Sequence, residues 1–187
     1  MQAIQHEDEI AVMPDQSYHP ASYSVEADWS GAAFWYELAA LNPEISIKLL
    51  GLNKESRQGD RAVGQIFQKM GVDTVFGTNH ITLKQNEHKN SGPLEIDIRQ
   101  TPDLFPAVAL TAAAQKRPYK ITGTANLAIK ESHRIKAVEQ IINALGISMH
   151  VGKDDVTVKE YPQTFPRSMN VKSEGDHRIA MAAAPLC

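Results

Sequence analysis

Residues 94–122 read LEIDIRQTPDLFPAVALTAAAQKRPYKIT, and this stretch decides the predicted fold. Its first six residues, 94–99, alternate apolar and polar side chains, which is the period of a half-buried strand. Residues 103–114 are apolar on nearly every side, so they predict a helix that lies inside the domain. Residues 119–122 then predict a second strand. A strand, a buried helix and a further strand in this order indicate an α/β fold.

The same order of elements occurs twice, in a repeat of about 70 residues. The second unit continues with an amphipathic helix and two short strands, at 131–145, 148–151 and 156–160. The first unit has the corresponding segments 18–25, 28–41, 45–52, 60–70, 74–77 and 80–84. A third begins with a strand at 169–172 and a helix at 176–186. We therefore predict an α/β (α+β) fold of β-α-β-α-β-β units, two complete and one partial, with a polar connector at 85–93 and a possible short strand at 10–13.

The composition excludes several classes of protein. The 187 residues carry a net charge of -3, without the basic patch that a nucleic-acid-binding protein needs. No stretch approaches the roughly 20 apolar residues of a membrane span. The single cysteine, Cys187, excludes an internal disulfide and is typical of a reducing cytoplasm. The seven histidines lack metal-ligand spacing, so no zinc site is predicted, and the sequence has neither a P-loop nor a dinucleotide-binding glycine pattern.

Residues 126–134, Asn-Leu-Ala-Ile-Lys-Glu-Ser-His-Arg, carry the most informative cluster of charges. On a helix that begins here, Lys130 and Arg134 would lie one turn apart and repel each other. Both would also lie at the positive end of the helix dipole, which favours anions. The arrangement therefore indicates an anion-binding site. The alternative is a solvated helix start with an ordinary ion pair between Glu131 and Arg134.

Two further helix starts carry charged residues. Arg178, in Asp176-His177-Arg178, begins an otherwise apolar helix, so it must project from the helix end or be paired. Asp103, in Thr101-Pro102-Asp103, could be catalytic, but the residues also form an ordinary helix start: Thr101 can cap it, Pro102 suits its first position, and Asp103 is favoured by the helix dipole, which explains Asp103 without a function. The same capping role explains Asp28 and Asp60.

These motifs, in this order, resemble those of the 5-enolpyruvylshikimate-3-phosphate synthase family. The matching residues are Asn126, Lys130, Glu131, Ser132 and Arg134, then Pro102-Asp103, and then Asp176-His177-Arg178, with support from 25–30 and 58–60. Two positions depart from the family pattern: Ala128 replaces a residue that is often basic, and His133 replaces a usual Asp. The resemblance covers residues 20–187.

The resemblance implies the enolpyruvyl transferase fold, an inside-out α/β barrel with two similar domains around a cleft. Residues 1–24 would then be the terminal strands of a missing N-terminal domain and the crossover from it. Residues 25–187 would be the C-terminal domain, truncated at its end. The resemblance further implies a cytoplasmic enzyme that is a monomer when full length and has no nucleic acid or membrane partner.

The implied reaction belongs to the shikimate pathway of aromatic amino acid biosynthesis. It moves the enolpyruvyl group of phosphoenolpyruvate to the 5-hydroxyl of shikimate 3-phosphate and releases phosphate, without a metal or organic cofactor. By resemblance, Asp103 is the base at the hydroxyl and Glu131 handles the proton at C3. Asn126 and Lys130 contact shikimate 3-phosphate, and Arg134 and Arg178 hold phosphoenolpyruvate.

The charged members of this set should cluster at helix N-termini at one end of the domain, partly exposed to solvent. The chain alone should be inactive, because half of the implied substrate contacts belong to the missing domain. Two other functions are compatible with the fold. One is a transferase acting on UDP-N-acetylglucosamine, and the other is a non-catalytic binding module.

Overall fold

The computed structural model of the protein describes residues 2–86 and 92–186. Its strands are β1 (Ala3–His6), β2 (Glu9–Val12), β3 (Ile47–Leu50), β4 (Val72–Gly77), β5 (His80–Gln85), β6 (Leu94–Asp97), β7 (Tyr119–Thr122), β8 (His150–Val151) and β9 (Asp155–Val158). Its α-helices are α1 (Trp29–Leu41), α2 (Val63–Gln68), α3 (Phe105–Ala114), α4 (Arg134–Ala144) and α5 (His177–Ala183). Short 3₁₀ turns at Gly59–Ala62, Pro102–Leu104 and Ala125–Ile129 precede α2, α3 and the α4 region.

The strands form three sheets. The hairpin β1–β2 stands alone, the order β3-β5-β4 makes a second sheet, and β6-β7-β9-β8 makes a third. Strands β6 and β7 run parallel with Ile96 opposite Ile121, and β9 joins antiparallel with Val156 opposite Ile121. These three side chains are buried, because they point to the same face of the sheet. The predicted mixed α/β order is confirmed, and the described residues contain no closed barrel.

Helices α1 and α3 lie in the core, as their uniformly apolar sequences predict. Nine of the ten residues of α3 are buried, and Trp29 and Tyr36 of α1 are fully enclosed. Helix α1 begins where Asp28 accepts hydrogen bonds from the backbone N–H groups of Ser30 and Gly31, both at 2.9 Å. That contact confirms the capping role predicted for Asp28. Helices α2 and α4 bury only one face, also as predicted. None of the described helices is long and apolar enough to cross a membrane.

Helix α4 begins later than predicted. The expected helix 131–145 starts at Arg134, because His133 takes the capping position and its Nδ1 accepts the N–H of Lys136. Lys130 therefore precedes the helix in an extended conformation, after the 3₁₀ turn. Lys130 and Arg134 therefore do not lie one turn apart on a single helix, and the prediction of their repulsion there was wrong. Both cations nevertheless lie in one cluster, because each contacts the carboxylate of Asp103.

Two predicted strands are absent from the described residues. Residues 18–25 have no regular structure, and Tyr18, Tyr23 and Val25 are more than four-fifths exposed. A strand needs a neighbour for its backbone hydrogen bonds, and this segment has no ladder with β3. The first unit thus lacks its opening strand. Residues 169–172 are likewise irregular.

Three other predictions fall near the ends of the chain or the connector. The expected strand 10–13 is β2, and its partner β1 was not predicted. The expected helix 176–186 is α5 followed by the 3₁₀ turn Ala184–Leu186. The connector 85–93 and Cys187 lie wholly or partly outside the described residues.

Candidate active site

The carboxylate of Asp103 lies at the centre of a cluster of cations. It is carried by the 3₁₀ turn that leads into α3, and its side chain is 30% exposed. Its Oδ1 lies 3.4 Å from Lys130 Nζ and accepts a hydrogen bond of 2.7 Å from Arg134 Nη1. Its Oδ2 lies 3.2 Å from Arg178 Nη2. Residues from three separate motifs therefore meet at one carboxyl group.

These cations set the ionisation of Asp103. Partial burial raises the pKa of the Asp103 carboxyl, but the hydrogen bond from Arg134 and the charges of Arg178 and Lys130 lower it by more. The net effect holds the pKa of Asp103 below its ordinary value, because an opposite charge within a few ångströms favours the ionised form. In this arrangement Asp103 is a weaker base than a free carboxylate.

Arg134 is almost completely enclosed, with 2% of its side chain exposed. Its Nε donates to Asp176 Oδ2 at 2.9 Å, its Nη1 donates to Asp103, and its Nη2 lies 3.8 Å from Glu131 Oε2. Three carboxylates thus surround one guanidinium. The expectation that the whole set is partly exposed was wrong for Arg134, because the buried Asp176 draws its side chain inward.

Asp176 anchors this network. It caps α5 by accepting the N–H of Arg178 at 2.9 Å, and its other oxygen accepts from Arg134 and from Ser132 Oγ, the latter at 3.0 Å. Burial raises the pKa of Asp176, but the hydrogen bonds from Arg134, Arg178 and Ser132 outweigh burial and keep that pKa below its ordinary value. The sequence indicated only the cap. The contact with Arg134 joins residues 42 positions apart, for which the sequence holds no local signal.

Glu131 lies at the solvent side of the cluster, with 55% of its side chain exposed. Its Oε2 is 3.2 Å from Nδ1 of His177, which bears a positive charge only when it is protonated. His177 was given no role at the sequence level, although it lies between the matched Asp176 and Arg178. Glu131 is thus accessible to a bound molecule and has a titratable neighbour.

Arg178 is the second residue of α5, and its side chain is 15% exposed. Its pairing with Asp103 confirms that an arginine entering an apolar helix needs a partner. The Nε atom is buried and, among the described residues, has no hydrogen-bond partner. Arg178 therefore retains an unused donor within the cluster.

Asn126 is the one predicted site residue that the structure does not join to this cluster. It is exposed on the 3₁₀ turn Ala125–Ile129, and its side chain makes no hydrogen bond within the described residues. The turn itself is held by buried Leu127 and by Asp154 Oδ1, which accepts the N–H of Ala125 at 2.9 Å. Asn126 is therefore near the cluster in sequence, four residues before Lys130, but no hydrogen bond among the described residues joins it to the cluster.

A further carboxyl group, Asp60, lies beside the cluster. The carbonyl of Gln100 lies 3.3 Å from the Cβ position of Gly59, so the 58–60 turn packs against the backbone before Asp103. Ser30 Oγ donates to Asp60 Oδ2. Burial and the nearby negative charge of Asp103 raise the pKa of Asp60, although the Ser30 hydrogen bond opposes them. From the sequence, Asp60 was expected only to cap a helix, whereas in the structure its side chain accepts a hydrogen bond from the hydroxyl of Ser30.

One group of described side chains has the geometry to approach a metal ion. Ligand atoms of Glu131, Asp176 and His177 all lie within 4.8 Å of one another. Both oxygens of Asp176 already accept hydrogen bonds, including one from the cation of Arg134. A metal ion would have to displace that buried contact, so the group suits an ion-pair network better than a metal centre. The absence of a cofactor stays a prediction.

Comparison with known proteins shows which family the chain belongs to. The family model for EPSP synthase (3-phosphoshikimate 1-carboxyvinyltransferase) matches residues 2–186. Among curated relatives, the 3-phosphoshikimate 1-carboxyvinyltransferase of Bacteroides fragilis is 35% identical over 179 residues, covering 95% of this chain and 43% of the relative. That of Dehalococcoides mccartyi is 36% identical over 178 residues, covering 95% and 40%. The EPSP synthase structure from Acinetobacter baumannii matches with a TM-score of 0.73 and 23% identity, covering 98% of this chain and 44% of that one.

The chain has the fold of an enolpyruvyl transferase, which confirms the predicted fold class. It belongs to the EPSP synthase family. It spans about two fifths of the length of the curated relatives it matches.

Proposed function

We propose that this chain is part of an enzyme that transfers the enolpyruvyl group of phosphoenolpyruvate to the 5-hydroxyl of shikimate 3-phosphate and releases phosphate. The observation that carries the proposal is the contact of one carboxylate, Asp103, with three cations from two other family motifs. Family membership supports it, because the matched curated relatives bear the name of this activity.

The reaction requires a base at the hydroxyl, a group that exchanges a proton at C3, and cations for phosphate and carboxylate groups. Asp103 is proposed as the base and Glu131 as the acid–base group at C3. Lys130, with Asn126, is proposed to contact shikimate 3-phosphate. Arg134 and Arg178 are proposed to hold phosphoenolpyruvate.

The rest of the site is proposed to come from outside this chain. In that arrangement residues 1–24 belong to the other domain and its crossover, and residues 25–187 form the C-terminal domain. The exposed hairpin β1–β2, which joins neither of the other two sheets, supports this division. The complete enzyme is proposed to be a cytoplasmic monomer that uses no metal or organic cofactor.

The test compares the 187-residue chain with the full-length protein in a phosphate-release assay. Phosphoenolpyruvate is supplied with either shikimate 3-phosphate or UDP-N-acetylglucosamine. We expect release only from the full-length protein and only with shikimate 3-phosphate, because one half of a cleft cannot close on its substrates. Turnover with the nucleotide sugar instead would contradict the proposed acceptor. A full-length protein that binds RNA but turns over neither acceptor would contradict the proposed reaction.

A further inference from the structure

Asp103 is the main counter-ion of the cluster. Within the described residues it is the only carboxylate in ion-pair contact with Lys130 or with Arg178. Arg134 differs, because it keeps the fully buried Asp176 as a second partner. Removing the Asp103 charge would therefore leave two cations without a partner and one still paired.

This arrangement conflicts with the two tasks proposed for the site. A base must be free to accept a proton, yet the pKa of Asp103 is held low by the cations around it. An anion site must offer free donors, yet Arg134 is surrounded by carboxylates and Arg178 is paired with Asp103. Both conflicts are reduced if an incoming anion takes the place of Asp103 at Lys130 and Arg178, because Arg178 becomes free and only Arg134 still contacts Asp103.

We propose that Asp103 occupies the anion site as an internal counter-ion, and that a ligand phosphate or carboxylate displaces it from Lys130 and Arg178, which leaves Arg134 as the remaining cation beside it and makes Asp103 a stronger base. The unused donor of Arg178, its buried Nε, is available to such an anion. The inference rests on the proposed function, which assigns Arg178 to the anionic substrate and Asp103 to the proton.

The proposal makes anion binding and the protonation of Asp103 reciprocal. An anion that removes cations from Asp103 raises the pKa of this carboxyl, and protonation of Asp103 must strengthen anion binding by the same factor. Other charges face the same space: the carboxylates of Asp60 and Glu131, and His177 beside Glu131. Their contributions have to be separated from that of Asp103 by a matched comparison.

The test measures the affinity of the 187-residue chain for sulfate, which stays dianionic over the range in which carboxyl groups titrate. Binding is followed by NMR on the Nε–H signal of Arg178, with ionic strength held constant by chloride because salt screens such contacts. Asp103→Asn is compared with wild type at pH 7.5. The matched control, Glu95→Gln, removes the same charge from an exposed position on β6.

We expect Asp103→Asn to bind sulfate about tenfold more tightly than wild type, a factor that corresponds to about 1.4 kcal/mol for the contacts of Asp103 with Lys130 and Arg178 that sulfate displaces. Glu95→Gln should match wild type. At lower pH Asp103 becomes protonated, so the wild-type affinity for sulfate should approach that of Asp103→Asn. Any contribution of His177 is common to both proteins and cancels in the ratio of their affinities. A dispersed spectrum of the variant shows that it is folded.

A second measurement uses wild type alone and so does not depend on the variant. The carboxyl ¹³C signal of Asp103 is titrated with and without saturating sulfate, and sulfate should raise its pKa. Equal or weaker sulfate binding by Asp103→Asn, or an Asp103 pKa that sulfate leaves unchanged, would overturn the inference. Overturning it while the full-length protein converts both substrates leaves the proposed function intact. If Asp103→Asn binds sulfate more tightly but the full-length protein is inactive, the inference stands and the proposed function is contradicted.

Discussion

Glu37 lies in the middle of helix α1, and none of its side chain is exposed. Within the described residues neither carboxylate oxygen has a hydrogen-bond partner. Thr111 of α3 is close enough to lower the pKa of Glu37, but its hydroxyl already donates to the carbonyl of Ala107 at 2.6 Å. Burial dominates and raises the pKa of Glu37 well above its ordinary value of 4.5.

The raised pKa fixes the sign of the effect on stability. The folded chain holds the Glu37 proton to a higher pH than the unfolded chain does, so the unfolded chain gains relative stability as pH rises. The full contribution of Glu37 is present below pH 4.5 and is lost as pH rises toward the folded-state pKa. Over that window the free energy of unfolding falls by about 1.4 kcal/mol for each pH unit.

Glu37→Gln keeps the shape and polarity of the side chain but removes its titration. We expect variant and wild type to be similar in stability at pH 4 and the variant to become steadily more stable relative to wild type above pH 4.5. Urea titrations from pH 4 to pH 8 measure this difference. The other titrating groups cancel in it, because they are common to both proteins.

Glu44→Gln is the control, because Glu44 is exposed in the loop after α1. Its difference from wild type should stay flat across the same pH range. If the Glu37→Gln difference is also flat, Glu37 loses its proton at the same pH in the folded and unfolded chains, and its burial in α1 is not as described.

Three further perturbations test other parts of the structure. Asp176→Asn leaves buried Arg134 without its most buried carboxylate partner, so the free energy of unfolding in urea should fall by about 3 kcal/mol or more; a loss below about 1 kcal/mol would contradict the network. Gly123 has a φ of +80°, and a Cβ there would lie 2.5 Å from the backbone N of Arg99. Gly123→Ala should therefore lower the urea midpoint of unfolding, and an unchanged midpoint would refute this packing. Lys116 Nζ donates to the carbonyls of Pro162 and Gln163 at 3.0 and 2.6 Å. Lys116→Met should therefore speed amide hydrogen exchange across 161–169 but not in β7. Exchange across 161–169 at the wild-type rate would count against this contact.

Much of the fold follows from local patterns in the sequence. The uniformly apolar segments become the buried helices α1 and α3, and the strand at Tyr119–Thr122 has its predicted bounds. The predictions that failed depend on partners. Residues 18–25 were predicted to form a strand, but no neighbouring strand among residues 2–86 and 92–186 completes their hydrogen bonds. The start of α4 depends on the cap at His133, one of the two positions that depart from the family pattern.

The cluster around Asp103 was predictable as a set of motifs but not as a network of contacts. The order of the motifs indicated Asp103, Lys130, Glu131, Arg134 and Arg178, and the structure brings all five together. Sequence spacing could not show that Arg134 is saturated by carboxylates, since its partners lie 31 and 42 residues away. The same holds for Asp60, whose place beside Asp103 depends on the approach of Gly59 to Gln100.

Asp103 and Glu131 are the residues on which the proposed chemistry depends, and turnover by the full-length protein tests them most directly. Phosphate release from phosphoenolpyruvate and shikimate 3-phosphate is measured for wild type, Asp103→Ala, Glu131→Ala and the remote control Glu95→Gln. Each of the first two substitutions removes a proposed proton-transfer group, so we expect the rate to fall by about 10²–10⁴-fold, with the control unchanged. A full-length enzyme that keeps normal turnover with both residues replaced would contradict the account.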